Sequence, residues 1–525
     1  AVDLAEEEEN KQEDNRPGDG VVEDVDESLI FIETPLYVAT ISNRGGGTFV
    51  KYELNPKNLK YIGGFSDDGL FEKDIPVSLL LGGHDSHCQP CLAEFNTTMK
   101  EYQFINQPFL LRSPVSAPGT IRLTETDSLE LEYVLNGITK KLSFYGDSFI
   151  TFHDYSGYDN SNEKLELVWA GGLRPTEKNE KEDVQYSSAV MSQAGKLKQI
   201  TTNSPDKPVD RESCEEGNTE WVAVRSKYFI AAILPNNKLG SCGALTANNV
   251  VFGERQHTPV YNASMGLPRG SGSFSSRIYL GPLDVDHISQ AKSNLEDTMN
   301  WGWAPIRPIS KGILWVLKFM HSTLHLNYGL VLLLFALIVR LVTGPLTKKS
   351  FESTQKMQKI QPQIKAVQEK YKKDPQRLNK EMMGMYKKHG VNPLGGCLPM
   401  LMQMPLLMAL FIVFRSTIEF RGQPFIFWVN DLSQPDVVFT LPFNIPIYGS
   451  GVAILPLIMG ATLFLTMRMS SATMDKSQKP VMYIMNGFFI LLFNTFPSGL
   501  NLYYTAYNAL SFLQQKGIRR KLADA

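Results

Sequence analysis

No pattern of a catalytic centre runs through this chain. Its 525 residues contain no Gly-x-Ser-x-Gly, no His-Glu-x-x-His and no Walker phosphate loop, so esterase-type, zinc-hydrolytic and nucleotide chemistry lack their usual groups. Cysteine is scarce, at five residues. Acid is scarce in one half only: from Asn300 onward there are 25 basic and 9 acidic side chains, against 27 and 45 before it. A segment of charge −18 is therefore fused to one of +16, and the basic half suits an anionic surface. Long apolar runs are missing from the first three hundred residues and abundant afterwards.

Residues 1–28 hold twelve acidic side chains, including Glu6–Glu9, and almost nothing apolar. They read as a solvated, disordered tether. The chain starts at Ala1, and a removed signal peptide or membrane anchor would fit either way.

Residues 29–300 read as an all-β domain. Alternating runs such as Leu129–Leu135, Leu165–Trp169 and Tyr228–Leu234 are separated by turn clusters at Asn43–Gly47, Asp67–Gly69 and Asn236–Asn237. That spacing predicts a sandwich or barrel. Gly270–Phe274 reads as a glycine-rich turn. Cys88-x-x-Cys91, with His84 and His87 upstream, permits a zinc site or a local disulfide; Cys214 and Cys242 complete the domain's thiols.

From residue 301 the pattern becomes helical. Ile313, Leu314, Leu317 and Met320 share one face of a segment, 301–325, that is too short and too charged to span and is expected to lie in the membrane interface. His321 and His325, four apart, could pair on a metal but read better as interfacial polar groups. Apolar runs follow at about 328–346, 397–414, 450–467, 480–496 and 499–515, each near the length of a crossing. Segment 348–390 is predicted to be a helical hairpin, with Met357, Ile360, Ile364, Val367 and Tyr371 facing Leu378, Met382 and Met385. Pro362 is expected to interrupt its first arm.

Lys348–Lys388 carries twelve Lys and Arg and four acidic residues, while Glu419–Tyr448 has Arg421 as its one basic residue. Basic loops face the cytoplasm. Five crossings and a cytoplasmic C-terminus then leave the β domain outside. The same positive charge suits anionic lipid. A link through Trp301–Pro308 suggests a separable β domain, dispensable for activity.

Arg340 stands inside the first apolar run. An arginine there costs roughly 2.5–3.5 kcal/mol on insertion scales unless it faces protein or water. It could snorkel, since it lies about 12 Å before Lys348 at helical rise, or mark a functional site.

Four stretches carry a family resemblance: Val339-Arg-Leu-Val-Thr-Gly-Pro-Leu-Thr347, Asn392-Pro-Leu-Gly-Gly-Cys-Leu-Pro399, Gln403-Met-Pro405 and Phe496-Pro-Ser-Gly-Leu-Asn-Leu-Tyr-Tyr504. In order and spacing the region from Trp303 to about Leu522 resembles the YidC/Oxa/Alb membrane protein insertases, and the preceding β domain resembles their Gram-negative branch. The resemblance implies a β-supersandwich outside the cytoplasm, then a five-span α-helical membrane core (326–525) with a cytoplasmic hairpin. It implies a multi-pass bacterial inner-membrane insertase and chaperone, not an enzyme. Such a protein moves short hydrophilic tails across and releases transmembrane segments into lipid, without cofactor or metal.

Implied partners are nascent membrane proteins, the Sec translocon, ribosome or signal-recognition components and anionic lipids, with no nucleic-acid sequence recognition. The implied groove is lined by Arg340, Gln403 and Tyr504. The family often has a hydroxyl residue where this chain has Ala336, so further polarity is expected from Asn494, Asn501 or Thr505. Cys397 matches a structural position. A client's apolar segment is expected to slide along Met404, Leu407 and Met408 on the second span and Leu491, Leu492 and Phe493 on the fourth; flexible thioethers suit varied clients. Rival readings are a secondary transporter, which should show two related halves with broken helices, and a membrane-anchored carbohydrate-binding envelope protein.

Overall fold

The computed structural model describes residues 25–523, apart from 82–87, 97, 100, 114–118, 163, 203–208, 215–217, 237–241, 391–397 and 472–478. A β-rich domain is followed by a helical region.

Three large sheets and a two-stranded hairpin, Ile62–Phe65 with Phe71–Pro76, build the β domain among the described residues. A nine-stranded antiparallel sheet has Gly270–Pro282 at its middle, flanked by Phe229–Pro235 and Ile150–Asn160. A six-stranded sheet centres on Arg255–Gly266 and Leu165–Trp169. A four-stranded sheet runs Thr48–Leu54, Tyr37–Ser42, Leu29–Glu33, Gly119–Arg122, its last pair parallel. The three large sheets share one core: Phe49 of the four-stranded sheet lies 6.5 Å from Trp169 and 6.2 Å from Phe144, ring to ring, one in each larger sheet. The expected strands stand within one residue of their predicted bounds. Gly270–Phe274 is corrected: it opens the central 13-residue strand rather than making a turn. Glycine and serine fit there because they pair with the long Ile150–Asn160 strand through to Gly270–Asn160. Cys88–Cys91 and Cys214–Cys242 are disulfides; His84 and His87 lie outside the described residues.

The helices are α1 (Glu180–Tyr186) and α2 (Val285–Ile288) in the β domain, then α3 (Arg307–Leu324), α4 (Tyr328–Lys370), α5 (Pro375–Lys388), α6 (Leu398–Ser416), α7 (Leu455–Ser471), α8 (Lys479–Phe493) and α9 (Ser498–Ala523). Helix α3 buries Ile313, Leu314, Leu317 and Met320, the predicted face, against α4 and α6. Its opposite side carries stacked, exposed Trp315 and Phe319. Asn327 caps α4 by accepting the Gly329 N–H, as short polar side chains do.

Two expectations change here. Helix α4 passes through both Pro345 and Pro362, so the first apolar run and the first hairpin arm form one 43-residue helix. The run at 450–467 is helical only from Leu455, because Gly449–Ala453 pairs with Val437–Ile445 as a β-hairpin. The predicted α4–α5 seam is present but small: Ile360 and Ile364 are buried against Met357, Met385 and Tyr386.

The β domain is not merely tethered. Past α6 the chain turns under it, and Arg421 is consumed entirely at the junction. Its Nε donates to Glu177 Oε1 at 2.7 Å, and its terminal nitrogens donate to the carbonyls of Lys60, Ile62, Gly63 and Thr176 at 2.6–3.2 Å. All five guanidinium donors have partners, which offsets their desolvation. Glu419 receives Lys60 at 2.6 Å, Lys318 of α3 at 2.9 Å and the Tyr328 hydroxyl at 2.8 Å. Asp284 faces the same two lysines, and Glu182 pairs with Lys227 and with Arg415 of α6. Gly422 (φ +66°) presses so close to the Leu59 carbonyl that a side chain there would collide with it. The attachment is therefore more than the Trp301–Pro308 link: it is a buried polar contact, which no local pattern reveals.

Candidate functional site

Arg340 sits on α4 twelve residues after Tyr328, and it is 5% exposed. Its Nη1 donates to the Tyr507 hydroxyl at 3.5 Å, and the guanidinium lies 5.5 Å from that ring's centre. Its Nε and Nη2 are buried without a partner. Among the described residues no carboxylate pairs with it. Arg340, Leu341, Gly344, Pro345, Lys348, Leu510, Gln514 and Ile518 line an open cavity of about 530 Å³. Gly344 lets the Gln514 amide come close, since a Cβ there would stand 2.9 Å from Gln514 Nε2. The cavity thus holds two cations and no acid.

Helix α9 supplies the facing wall. Tyr503, Tyr507, Leu510 and Gln514 recur at 4/3/4 spacing toward α4. A second row at 3/4/3/4 spacing, Asn501, Tyr504, Asn508, Ser511 and Gln515, is buried throughout. Tyr503, Tyr504 and Thr505 each have a hydroxyl enclosed without a partner, as does Gln403 its amide nitrogen. Gln403 of α6 lies against Tyr504. Buried polar atoms normally find partners; these side chains make the interior between the helices polar, and Gln403 and Tyr504 are close enough to pair with each other.

The site residues expected from sequence therefore divide. Arg340, Gln403, Tyr504 and Thr505 all lie within the bundle with unmet hydrogen-bonding capacity. Asn501 does other work: its amide donates to the carbonyls of Phe493 and Phe496 and ties the α8–α9 turn. Asn494 likewise bonds Ala453, Tyr448 and Gly451. Asn494 is corrected from groove polarity to turn chemistry, because it lies at a helix end where backbone groups need partners; Asn501 shares that turn role, while its Oδ1 stays buried without a partner inside the bundle. The polar row of α9 was missed, although its 3/4 spacing is written in the sequence.

Of the expected sliding face, Met404, Met408 and Leu491 are exposed, and Leu407 and Leu492 half-buried. Phe493 is corrected: it is buried, with ring centroids 4.8 Å from Phe496 and 5.9 Å from Tyr504. Phe411 of α6 meets Phe496 at 4.9 Å, so this aromatic group joins α6 to the α8–α9 turn. His321 stacks on Tyr328, and its Nδ1 meets the Leu326 carbonyl at 2.7 Å. Among the described residues no group of three metal-ligating side chains occurs. Cys397 lies outside the described residues.

Outside this bundle, the junction's carboxyls are tuned by their surroundings. Burial alone would raise Asp284, but Lys60 and Lys318 hold it below its ordinary value of 3.8. Burial likewise opposes Glu182, yet Lys227 and Arg415 keep it below 4.5.

A β-rich domain is fixed to the end of an apolar helical bundle that has a partly unsatisfied arginine between its helices and, among the described residues, one helix long and apolar enough to cross a membrane. The sequence comparisons give the family. Residues 29–316 match the YidC periplasmic domain, and residues 319–525 match the 60Kd inner membrane protein. The membrane protein insertase YidC of Chloroherpeton thalassium is 33% identical over 510 residues, 93% of this chain and 82% of that protein. That of Pelodictyon phaeoclathratiforme is 38% identical over 513 residues, 95% and 84% of the two. A crystal structure of an active YidC insertase aligns over 91% of this chain at 17% identity and a TM-score of 0.35. The chain belongs to the YidC family of membrane protein insertases. It is a non-enzymatic inner-membrane protein with a periplasmic domain, acting on membrane-protein substrates.

Proposed function

We propose that the unsatisfied environment of Arg340 is the working groove of the insertase. Crossing hydrocarbon costs a hydrophilic tail several kcal/mol for each unsatisfied backbone group. A wet half-groove shortens that path, and a cation in a confined site offers acidic residues of the tail a transient partner. The observation that carries this reading is the buried guanidinium with two unpartnered nitrogens beside a cavity without acid.

In this reading α4, α6, α7, α8 and α9 are the five spans. Tyr328–Ser350 is long and apolar enough to cross, while Gln403–Ser416, Leu455–Met469 and Pro480–Phe493 are shorter apolar helices. The supersandwich domain 29–300 lies outside, α3 (within 301–325) lies in the interface, and the C-terminus is cytoplasmic with the basic α4–α5 hairpin within 348–390. The Phe411–Phe496–Phe493 cluster closes the groove on the β-domain side. Gln403, Tyr504 and Thr505 extend it inward, and the client's apolar segment leaves along Met404, Leu407, Met408, Leu491 and Leu492. Clients arrive alone or through the Sec translocon, with ribosome or signal-recognition components and anionic lipid meeting the hairpin.

Photo-crosslinkers at Gln403 and Leu491, probed with a nascent single-span membrane protein, test the reading. Adducts to the client at both positions support it; adducts at neither contradict it.

A further inference from the structure

The hairpin Val437–Ile445/Gly449–Ala453 is joined by no third strand among the described residues and carries no charge. From Val437 to Met467 there is not one Asp, Glu, Lys or Arg. Val437, Val438, Phe439 (60%) and Phe443 (59%) are all exposed, on both faces of the sheet. The β domain's own two-stranded hairpin differs: its exposed positions in Phe71–Pro76 are Glu72, Lys73 and Asp74. Two-stranded sheets are marginal in water, and open apolar edges invite aggregation.

This hairpin is nonetheless held firmly. Asp436 accepts the Ile454 and Leu455 N–H groups and the Trp428 indole at 2.8–3.1 Å, and Asn494 bonds three backbone groups of its second strand and turn. Beside it, Phe427 is 84% exposed in a left-handed conformation (φ +62°), and Ile447 in the turn is exposed at φ +72°. Bulky apolar side chains gain nothing from water in such backbone conformations.

We propose that this hairpin, with Phe427 and Trp428, is a lipid anchor seated in the membrane interface on the β-domain side. Its surface continues directly into exposed Leu457 and Ile458 of α7, in a chain already placed in the membrane. Gln434, two residues before Asp436, bonds Glu177 of the β domain, which fixes the side. The open strand edges, with Pro442 and Pro446 lacking N–H groups, keep it at headgroup depth, where water satisfies the backbone. Helix α3 packs on α4 and α6, whereas the hairpin is tied to α7 and α8, so two interfacial elements hold different helices at one level. The inference rests on the membrane location and not on the insertase groove.

Spin labels at Phe439→Cys, Phe443→Cys and, as control, Asp74→Cys, each with Cys397→Ser in the full chain, test it in phosphatidylethanolamine/phosphatidylglycerol vesicles. Oxygen should collide with the label more often than a water-soluble nickel chelate does at 439 and 443, with the reverse at 74. Nickel access at 439 and 443 equal to that at 74 would overturn the proposal. Protection from both reagents would also overturn it, pointing to a second copy of the chain as cover. Without any label, tryptophan fluorescence should be quenched by lipids brominated near the headgroup, and Trp428→Phe should remove part of that quenching; no loss would count against the anchor.

Discussion

Arg421 and Glu177, 244 positions apart in sequence, form a buried ion pair at 2.7 Å, and each is 4% exposed at the side chain. The pair spans the junction between the β domain and the segment that follows α6. Removing one partner of such a pair leaves an uncompensated buried charge, costing on the order of 3–5 kcal/mol. Arg421→Ala should therefore lower the unfolding temperature and increase hydrogen exchange at both Lys60–Gly63 and Ile418–Arg421. Unchanged exchange in those strips would mean the contact holds nothing together.

The junction should also loosen in acid. Asp284 and Glu182 titrate below their ordinary values of 3.8 and 4.5, so the folded state favours their charged forms. The stability they contribute is present above those values and is lost as pH falls through the lowered folded values. Distances between spin labels on the β domain and on α6 should stay sharp at pH 6 and broaden below about pH 4. Broadening that appears instead as pH rises would reverse the sign.

Helix α3 should tolerate change on one face alone. Leu317 is fully buried against α4 and α6, so Leu317→Ala should cost about 2–5 kcal/mol. Leu314→Asp and Leu317→Asp should abolish rescue of cells depleted of their own insertase. Trp315→Ala, on the exposed face, should spare folding. Equal loss from both faces would contradict the packing described.

The sliding face should be narrower than its sequence suggests. Crosslinkers at Met404, Met408 and Leu491 should capture a client's apolar segment, whereas one at Phe493, inside the aromatic cluster, should not. Strong capture at Phe493 would mean that the cluster opens during insertion.

Much of this was legible beforehand where it depends on local pattern. The strands around Leu165–Trp169 and the buried face Ile313, Leu314, Leu317 and Met320 follow from periodicity, because one buried side writes itself into every second or every third-and-fourth residue. Arg340 was legible because a charge in an apolar run is costly enough to need a reason. The junction was not, since Arg421 with Glu177 or Lys60 with Glu419 look like ordinary loop charges until the chain brings them together. The second strand of the hairpin, from Ser450 to Ala453, falls within the apolar run at 450–467 because short apolar runs carry no period that separates strand from helix. Asn494 misled for a related reason: an asparagine near an apolar run looks like groove polarity, yet at a helix end it satisfies backbone.

The central claim is that Arg340 acts as a cation available to clients, unlike the saturated Arg421. The direct measurement is insertion of matched single-span clients with acidic or neutral translocated tails, by Arg340→Ala and Arg340→Lys variants. Arg340→Ala should impair acidic-tailed clients more than neutral ones, Arg340→Lys should restore much of the difference, and the discrimination should weaken at high salt. Equal loss for both tails, unrelieved by lysine, would contradict it and leave Arg340 a packing residue.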